Sequence, residues 1–443
     1  MFHTKVITGK RKANVGRKAF FWEINCSVTV SAVHQQVEKN RPIPYNALYL
    51  HNFTFWFFVL NFFIIIPSIG GINIKTTLMR NILLITLMNL FIFASCNKNE
   101  DETPDPTPTP TPEAMYFPPL TGTEWQTKTV ASLGWNETEL NNLYTYLQTK
   151  NTKAFLIIKN GRIVAERYFG TFTVDSNWYW ASAGKTMTAF LVGIAQQEGL
   201  ININNKTSQY LGTGWTSAPL AKENLITVRH QLTMTTGLDD GVPDNDCTTP
   251  ACLVYKADAG TRWAYHNAPY TILDKVVENA TGLTYNNYFQ QKIRNRIGMN
   301  GLWLPSGSNN VYYSTPRSMA RFGLLLLNKG TWDGTPILAD TNYFNAQVNT
   351  SQNLNPSYGY LTWLNGKSNH MLPQTQFVFS GPINPNAPTD MYAALGKNDQ
   401  KIYVVPSQKL VVVRMGESAG NVQLALSSFD TELWGKLKTV IGY

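Results

Sequence analysis

Residues 182–194 read SAGKTMTAFLVGI, a polar tetrad that runs into an apolar stretch. The apolar side chains that recur at spacings of three and four are Met187, Phe190, Leu191 and Ile194. This period is that of one buried helix face, so the stretch predicts a helix that begins close to Ser182. Residues three apart lie on the same side of a helix, and the ammonium group of Lys185 can therefore reach the hydroxyl group of Ser182.

Ser182 and Lys185 form an S-x-x-K tetrad, an arrangement suited to nucleophilic catalysis. A serine hydroxyl is a weak nucleophile until a neighbouring base accepts its proton. The start of a helix adds backbone N–H groups and a positive dipole, which stabilise developing negative charge. On its own, the tetrad also fits a helix cap followed by a solvated lysine.

A second candidate element is Tyr265-His266-Asn267, a Y-x-N triplet. In extended backbone, residues two apart point the same way, so Tyr265 and Asn267 can face one pocket while His266 faces away. A lysine ammonium close to Tyr265 would lower the pKa of its phenol and make it a usable base. Taken alone, the triplet fits a buried aromatic side chain and a turn asparagine better.

A third element is the sequence ALG at residues 394–396, followed by Lys397. Apolar, β-rich runs at residues 402–405 and 410–414 predict two strands directly after it. A glycine such as Gly396 on an edge strand lets a substrate backbone approach closely.

Strand signals also stand at the other end of this region, at residues 154–158 and 163–169. Asn160 and Gly161 between them favour a tight hairpin turn. The region therefore has strands at both ends and mainly helical, loop-rich sequence in between.

In this order, the three elements resemble the serine β-lactamase and penicillin-binding-protein family. This family includes class C β-lactamases, D-alanyl-D-alanine carboxypeptidases, related esterases and 6-aminohexanoate-dimer hydrolase. The resemblance covers residues 154–414. It implies an α+β fold in which an antiparallel β-sheet flanked by helices is joined to a mostly helical second lobe, with the site between them.

The resemblance also implies roles for individual residues. Ser182 would be the acylated nucleophile, and Lys185 and Tyr265 would share proton transfer. Asn267 would position Lys185 and the substrate. The oxyanion hole would consist of the backbone N–H groups of Ser182 and Lys397.

Two positions depart from the family pattern. Ala394 stands where a lysine or histidine is common, so the third motif lacks a basic side chain for a substrate carboxylate. Versions with alanine look more like the esterase and amide-hydrolase members. Asp399 stands where glycine is common, which affects the shape of the turn after the strand.

The N-terminal region carries a targeting signal. Met79-Arg80-Asn81 is a short positive segment, and residues 82–94 form an apolar run of thirteen residues. A run of this length is too short to span a bilayer but suits a signal peptide. The ending Ala94-Ser95-Cys96 resembles a lipobox, which predicts lipidation of Cys96. An ordinary signal peptide or a buried helix is the alternative.

Four segments are therefore predicted. Residues 1–78 would be an upstream extension with Met79 as the true start, or else an extra N-terminal membrane anchor. Residues 79–95 would be a lipoprotein signal peptide, and residues 96–115 a Thr/Pro-rich linker. Residues 116–443 would form the serine hydrolase domain, held by a lipid anchor in the cell envelope and facing the periplasm or the outside.

Charge and histidine content narrow the possible partners. Ten of the 37 Lys and Arg residues but only two of the 28 acidic residues precede Cys96, so the remaining chain is almost neutral. This argues against a nucleic-acid partner, which needs a concentrated basic surface on the folded part. The histidines after Cys96 lack metal-ligand spacing, so neither a metal nor another cofactor is expected.

Cys247 and Cys252 are predicted to form a disulfide, because both lie close together in an exported domain and the periplasm is oxidising. Two free thiols are the alternative. The predicted enzyme is a serine hydrolase that acts on a small-molecule or peptide substrate, an ester or amide. A β-lactamase or D-alanyl-D-alanine carboxypeptidase and a non-catalytic cell-wall-binding lipoprotein are the other candidates.

Overall fold

The computed structural model describes residues 113–421 and 424–443. The predicted upstream extension (1–78), signal peptide (79–95) and lipidation site Cys96 lie outside these residues, as does most of the predicted linker. Within the described part, no helix is both long enough and apolar enough to cross a membrane.

The last residues of the predicted linker contact the domain. Asn160 donates side-chain hydrogen bonds to the carbonyl oxygens of Glu113 (2.9 Å) and Ala114 (3.1 Å). The Glu113 carboxylate also lies 3.3 Å from Arg162. Glu113 and Ala114 therefore pack against the turn between residues 159 and 162.

A six-stranded antiparallel sheet forms the frame of the molecule, with the order β2-β1-β13-β12-β11-β8. The strands are β1 (Thr152–Lys159), β2 (Arg162–Tyr168), β3 (Trp178–Tyr179), β4 (Leu302–Ser306), β5 (Asn309–Ser314), β6 (Thr331–Trp332), β7 (Thr335–Pro336), β8 (Trp363–Leu364), β9 (Asn369–Met371), β10 (Val378–Ser380), β11 (Tyr392–Gly396), β12 (Gln400–Val405) and β13 (Leu410–Gly416). The remaining strands form small sheets with the orders β3-β5-β4, β6-β7 and β9-β10.

The hairpin turns of the large sheet follow from the sequence. Asn160 and Gly161 have φ values of 51° and 83°, the left-handed pair that a tight turn between β1 and β2 requires. β12 and β13 are joined by a short helical turn that ends at Lys409, whose φ is 46°. The first and last strands of the domain thus pair as neighbours, and β1 lies between β2 and β13.

Helices cover the sheet and build the second lobe. The α-helices are α1 (Glu137–Thr149), α2 (Gly184–Gln197), α3 (Ser208–Leu211), α4 (Leu220–Glu223), α5 (Val228–Leu232), α6 (Asn267–Thr271), α7 (Leu273–Thr281), α8 (Tyr285–Phe289), α9 (Pro316–Leu327), α10 (Thr341–Gln347) and α11 (Ser428–Ile441). Short 3₁₀ turns occupy Ala131–Leu133, Ala181–Ala183, Pro250–Cys252, Lys397–Asp399 and Pro406–Gln408, and a π turn occupies Gln290–Arg294.

The two faces of the sheet pack against different helices because side chains alternate along a strand. On one face, a Cβ added to Gly323 of α9 would lie 2.5 Å from Val411 and 3.0 Å from Ile402, so α9 lies very close to the strands. On the other face, Tyr403 makes an edge contact of 5.5 Å with Trp434 of α11. The sheet is therefore buried on both sides, and the expected α+β fold with a helical second lobe is confirmed.

Candidate active site

Ser182 lies where the short strand β3 turns into the helix α2. The Ala181–Ala183 turn precedes α2, and Ala181 has a φ of 47°, a left-handed conformation that non-glycine residues rarely adopt. Trp180 holds this turn from behind, because its backbone N–H donates to Tyr312 O (2.8 Å) and its indole N–H donates to Ser314 Oγ (2.8 Å). The strained turn is thus anchored, and it presents Ser182 at the start of the helix.

Lys185 is directly beside Ser182, as the S-x-x-K spacing predicts. Its Nζ donates a hydrogen bond of 3.0 Å to Ser182 Oγ, and only 4% of the residue is exposed. Burial lowers the pKa of Lys185 to about 7, although the negative charge of Asp246 acts in the opposite direction. Near neutral pH a large fraction of Lys185 is therefore uncharged and able to accept a proton.

Two aromatic rings surround the amino group of Lys185. Its Nζ lies 4.1 Å from the ring centroid of Tyr270 and 5.3 Å from that of Tyr265. The face of an aromatic ring attracts a cation, so these rings favour the protonated form and partly offset the loss of solvent. Tyr270 was not identified from the sequence. Its only signal there is its position in the short helix that follows the Y-x-N triplet.

Tyr265 lies in the same site, but its pKa shifts in the direction opposite to the sequence-based expectation. Burial raises the pKa of Tyr265 above its ordinary value, and a hydrogen bond with Ser182 only partly counteracts this. The ring stacks on Trp363 at 5.8 Å and makes an edge contact with Tyr358, so the phenol sits in an apolar surrounding. Tyr265 is therefore protonated at neutral pH and suits a role as proton donor rather than first base.

Asn267 faces the cleft but does not hold Lys185 through any contact found in the described structure. It is the first residue of α6, and its Nδ2 donates a hydrogen bond of 2.7 Å to Asp246 Oδ1. The role that the family resemblance implied for Asn267, the positioning of Lys185, is thus indirect. Asp246 is the group that acts on Lys185, through its charge.

Asp246 belongs to a loop that the structure ties down on both sides. The next residue, Cys247, forms a disulfide with Cys252, where the sequence predicts one. On the preceding side, Ala268 N–H donates to Asn245 O at 3.2 Å. Asp246 was missed at the sequence level, although its position beside a predicted disulfide was a usable signal.

His266 points away from the cleft, as the alternation within the triplet predicts. It is only 2% exposed, and neither ring nitrogen has a hydrogen-bond partner among the residues that the structure describes. Burial lowers the pKa of His266 to about 4, so the ring is neutral at physiological pH. His266 thus contributes to packing and not to the chemistry of the cleft.

The end of strand β11 lies against the turn that carries Ser182. A Cβ added to Gly396 would lie 2.4 Å from Trp180 O and 3.1 Å from Ser182 N. The sequence-based interpretation, that Gly396 makes room for a substrate, is therefore corrected. Gly396 makes room for the protein's own backbone, and this contact brings the following residue, Lys397, beside Ser182.

Ala394 does not line the cleft. It is 1% exposed and lies within the hydrophobic core. Ala394 therefore makes no contact with a substrate in the cleft, because its short side chain does not reach the cleft. Lys397, in contrast, is exposed and contributes to the wall of the cleft.

A cleft of about 600 Å³ opens in front of Ser182. The residues that line it are Ser182, Asn245, Asp246, Tyr265, Asn267, Pro373, Gln374, Lys397, Asn421, Leu424 and Ala425. Its charged side chains are one acid, Asp246, and one base, Lys397. Nothing in the sequence near Pro373 or Leu424 indicated these walls, because they come from loops distant along the chain.

No cluster of His, Cys, Asp and Glu side chains suited to a metal ion occurs in residues 113–421 and 424–443. The chemistry that the described residues can perform is acyl transfer to a serine, with a buried amine as the base.

Comparison with known proteins finds a family model and a relative that match the domain. Residues 149–427 match the family model described as Beta-lactamase, and the match includes Ser182, Tyr265 and Lys397. An uncharacterised protein of Alkalihalophilus pseudofirmus is 24% identical over 303 residues, which cover 60% of this chain and 83% of that protein.

Solved structures with a similar fold include a penicillin-binding protein homologue from Caulobacter crescentus. It has a TM-score of 0.52 and 13% identity, with 68% of this chain and 97% of that chain covered. EstCE1, a hydrolase with promiscuous acyltransferase activity, has a TM-score of 0.52 and 11% identity, with 70% and 99% covered. At such identities the similarity establishes the fold alone.

Proposed function

This chain belongs to the beta-lactamase family of serine hydrolases, and we propose that it cleaves a neutral ester or amide through an acyl-enzyme formed on Ser182. The observation that carries the proposal is the 3.0 Å contact between Ser182 Oγ and the buried Nζ of Lys185. A lysine with a pKa near 7 is a base that functions at neutral pH.

In the first half of the reaction, the Oγ of Ser182 attacks the carbonyl carbon of the substrate. The hydroxyl proton passes to the neutral Nζ of Lys185, so an Oγ–carbon bond forms as the O–H bond breaks. The carbonyl oxygen becomes negative in the tetrahedral intermediate. The N–H groups of Ser182 and Lys397 would stabilise it, since Gly396 lies against the backbone of Ser182.

Collapse of the intermediate expels an alkoxide or an amine, which must take up a proton as it leaves. The protonated Lys185 supplies this proton, and the phenol of Tyr265, which is hydrogen-bonded to Ser182 before the reaction, relays it. In the second half, water attacks the acyl carbon while Lys185 again accepts a proton. Ser182 Oγ then leaves and recovers its hydrogen, which restores the starting state.

The charges in the cleft support a neutral substrate. Asp246 places a carboxylate in the cleft and would repel a substrate carboxylate, while Ala394 provides no cation to bind one. An ester or a neutral amide is therefore the preferred substrate class.

Lys397 favours a second candidate function, that of a β-lactamase or D-alanyl-D-alanine carboxypeptidase. Its exposed ammonium group lies in the cleft wall and could pair with the carboxylate that both substrate types carry. A non-catalytic cell-wall-binding role is less well supported, because binding alone has no need for a buried Lys185 beside Ser182.

Intact-mass labelling of purified residues 97–443 distinguishes these functions. Under the proposal, a fluorophosphonate adds one adduct to the wild-type protein and none to Ser182→Ala, while a penicillin adds little. A rapidly formed penicillin adduct on Ser182, or hydrolysis of the penicillin that is lost in Ser182→Ala, would support the second candidate. Absence of both adducts on folded protein would refute a catalytic role.

We also propose that the domain is exported and anchored through a lipid on Cys96. The lipobox ending Ala94-Ser95-Cys96 and the Thr/Pro-rich segment behind it support this, as does the disulfide between Cys247 and Cys252. N-terminal mass analysis of the native protein is the test. A mature chain that begins before Cys96 would contradict the proposal.

A further inference from the structure

The turn between β11 and β12 contains two strained residues in succession. Asn398 and Asp399 have φ values of 58° and 59°, the left-handed region that glycine adopts without strain. Asn398 tolerates this conformation better than most residues, but Asp399 is fully buried as well. A buried acid in a strained position suggests that its carboxylate makes bonds that a glycine could not make.

The carboxylate of Asp399 joins this turn to a distant segment. Its Oδ2 accepts a hydrogen bond from Ala419 N–H (2.9 Å), and its Oδ1 accepts one from Ser427 Oγ (2.7 Å). Between these two anchor points lie Leu424 and Ala425, which form part of the cleft wall. Asp399 therefore links the strand end beside Ser182 to a segment that contributes to the cleft lining.

Two buried cations, Lys401 and Arg414, also contact the turn that contains Asp399. Lys401 Nζ lies 3.2 Å from Asp399 Oδ1 and 2.9 Å from Asp430 Oδ2, and it donates to Ala425 O at 2.7 Å. Arg414 donates to the carbonyl oxygens of Asn398 (2.9 Å) and Asp399 (3.0 Å). The negative charges of Asp399 and Asp430 are thus balanced by the positive charges of these two buried cations.

The protonation state of Asp399 is consistent with this balance of charge. Burial alone would raise the pKa of Asp399, but the positive charge of Lys401 and the hydrogen bonds from Ala419 and Ser427 lower it below its ordinary value. The carboxylate is therefore ionised at neutral pH, which keeps all of its bonds charge-assisted.

We propose that Asp399 is a positioning residue, which holds the backbone N–H of Lys397 and the cleft wall at Ala425 in register with Ser182. Gly396 fixes the turn from one side, by its contact with the Ser182 backbone, and Asp399 fixes it from the other. This inference rests on the proposed acyl-enzyme function, and it identifies Asp399 as a residue that shapes the oxyanion hole.

The test compares Asp399→Gly and Asp399→Asn with the wild-type protein. Glycine adopts the left-handed backbone conformation without strain but has no carboxylate. The variant therefore removes the hydrogen bonds of Asp399 while the backbone conformation of the turn can be kept. We expect kcat on p-nitrophenyl acetate to fall about 10- to 100-fold in Asp399→Gly, the range for a displacement near 1 Å at a reacting centre. KM should change less than about twofold, and the rate of fluorophosphonate labelling should fall with kcat.

A matched control is Asp390→Gly, at the other end of the same strand pair. Asp390 also bridges two segments, since Ser407 donates to it from N–H (2.6 Å) and from Oγ (2.9 Å). Its loss should leave kcat and labelling unchanged. Ser427→Ala removes the hydroxyl that donates to Asp399 and that caps α11, but no buried charge. It replaces the Asp399 variants if they fail to fold, and it should lower both rates in the same way.

The outcomes are separable. Folded Asp399→Gly, or Ser427→Ala in its place, that labels and turns over at the wild-type rate overturns the positioning role while the proposed function stands. Wild-type protein that neither labels nor hydrolyses any ester overturns both. A slowed kcat with a retained melting transition and partial recovery in Asp399→Asn supports the role.

Discussion

Hydrolysis of a p-nitrophenyl ester by this protein should rise with pH through a midpoint near 7, because Lys185 must lose its proton before it can serve as the base. Below the midpoint, each pH unit lowers the neutral fraction of the amine about tenfold, so kcat/KM at pH 5 should be roughly 100-fold below its plateau. An exposed lysine would instead place the midpoint near 10.

Asp246→Asn perturbs this midpoint in a predictable direction. The charge of Asp246 raises the pKa of Lys185 against the effect of burial, so its removal should move the midpoint to lower pH. An interaction of about 1 kcal/mol between the two charges corresponds to a shift of about 0.7 pH unit. The amide oxygen of the new asparagine can still accept the hydrogen bond from Asn267, which limits structural change.

The assay is the pH dependence of kcat/KM between pH 5 and 9, with spontaneous ester hydrolysis subtracted. Asp244→Asn is the matched control. It lies two residues away and is exposed, and asparagine can keep its bond to Asp246 N–H. A midpoint that stays in place in Asp246→Asn, or that moves equally in Asp244→Asn, would refute the electrostatic reasoning. A wild-type kcat/KM that keeps rising about tenfold per pH unit up to pH 9, without levelling off, would contradict a base with a pKa near 7.

Three further outcomes are expected. Ser182→Ala should abolish turnover and Tyr265→Phe should slow it about 100- to 10,000-fold, the range for losing a proton-transfer group; steady-state kinetics would contradict this if either variant kept wild-type rates. Short-chain p-nitrophenyl esters should exceed nitrocefin in kcat/KM, and a tenfold advantage for nitrocefin would show that Lys397 or another group binds the carboxylate. Thiol titration of unfolded, unreduced residues 97–443 should detect no free cysteine, because Cys247 and Cys252 are paired; two reactive thiols would contradict the pairing.

Short-range features of the sequence predicted individual elements of the fold. The Asn160-Gly161 turn and the period of three and four in α2 depend on local backbone geometry, and both are found where expected. The S-x-x-K tetrad needed only the helix to bring Lys185 to Ser182. Local geometry of this kind is largely independent of distant parts of the chain, which is why these elements could be identified without a structure.

Features that depend on solvent exclusion could not be derived in the same way. The phenol of Tyr265 was expected to be acidified by Lys185, but burial among aromatic rings has the larger effect and raises its pKa. The depressed pKa of Lys185 has the same origin. Burial is a property of the whole packed core, and the sequence around either residue does not specify it.

By itself, the sequence predicted the turn at Asn160 and Gly161 and the helix that brings Lys185 to Ser182, because helix periodicity, turn residues and motif spacing act over a few residues. The α+β framework was implied by the family resemblance that these motifs carry. Only the tertiary structure decided that Asp246 enters the cleft and that Gly396 makes room for backbone rather than substrate. It also decided that Asp399 joins the strand turn to the cleft wall. These contacts join segments far apart in the chain, and their charges and distances exist only once packing has excluded water and brought those segments together.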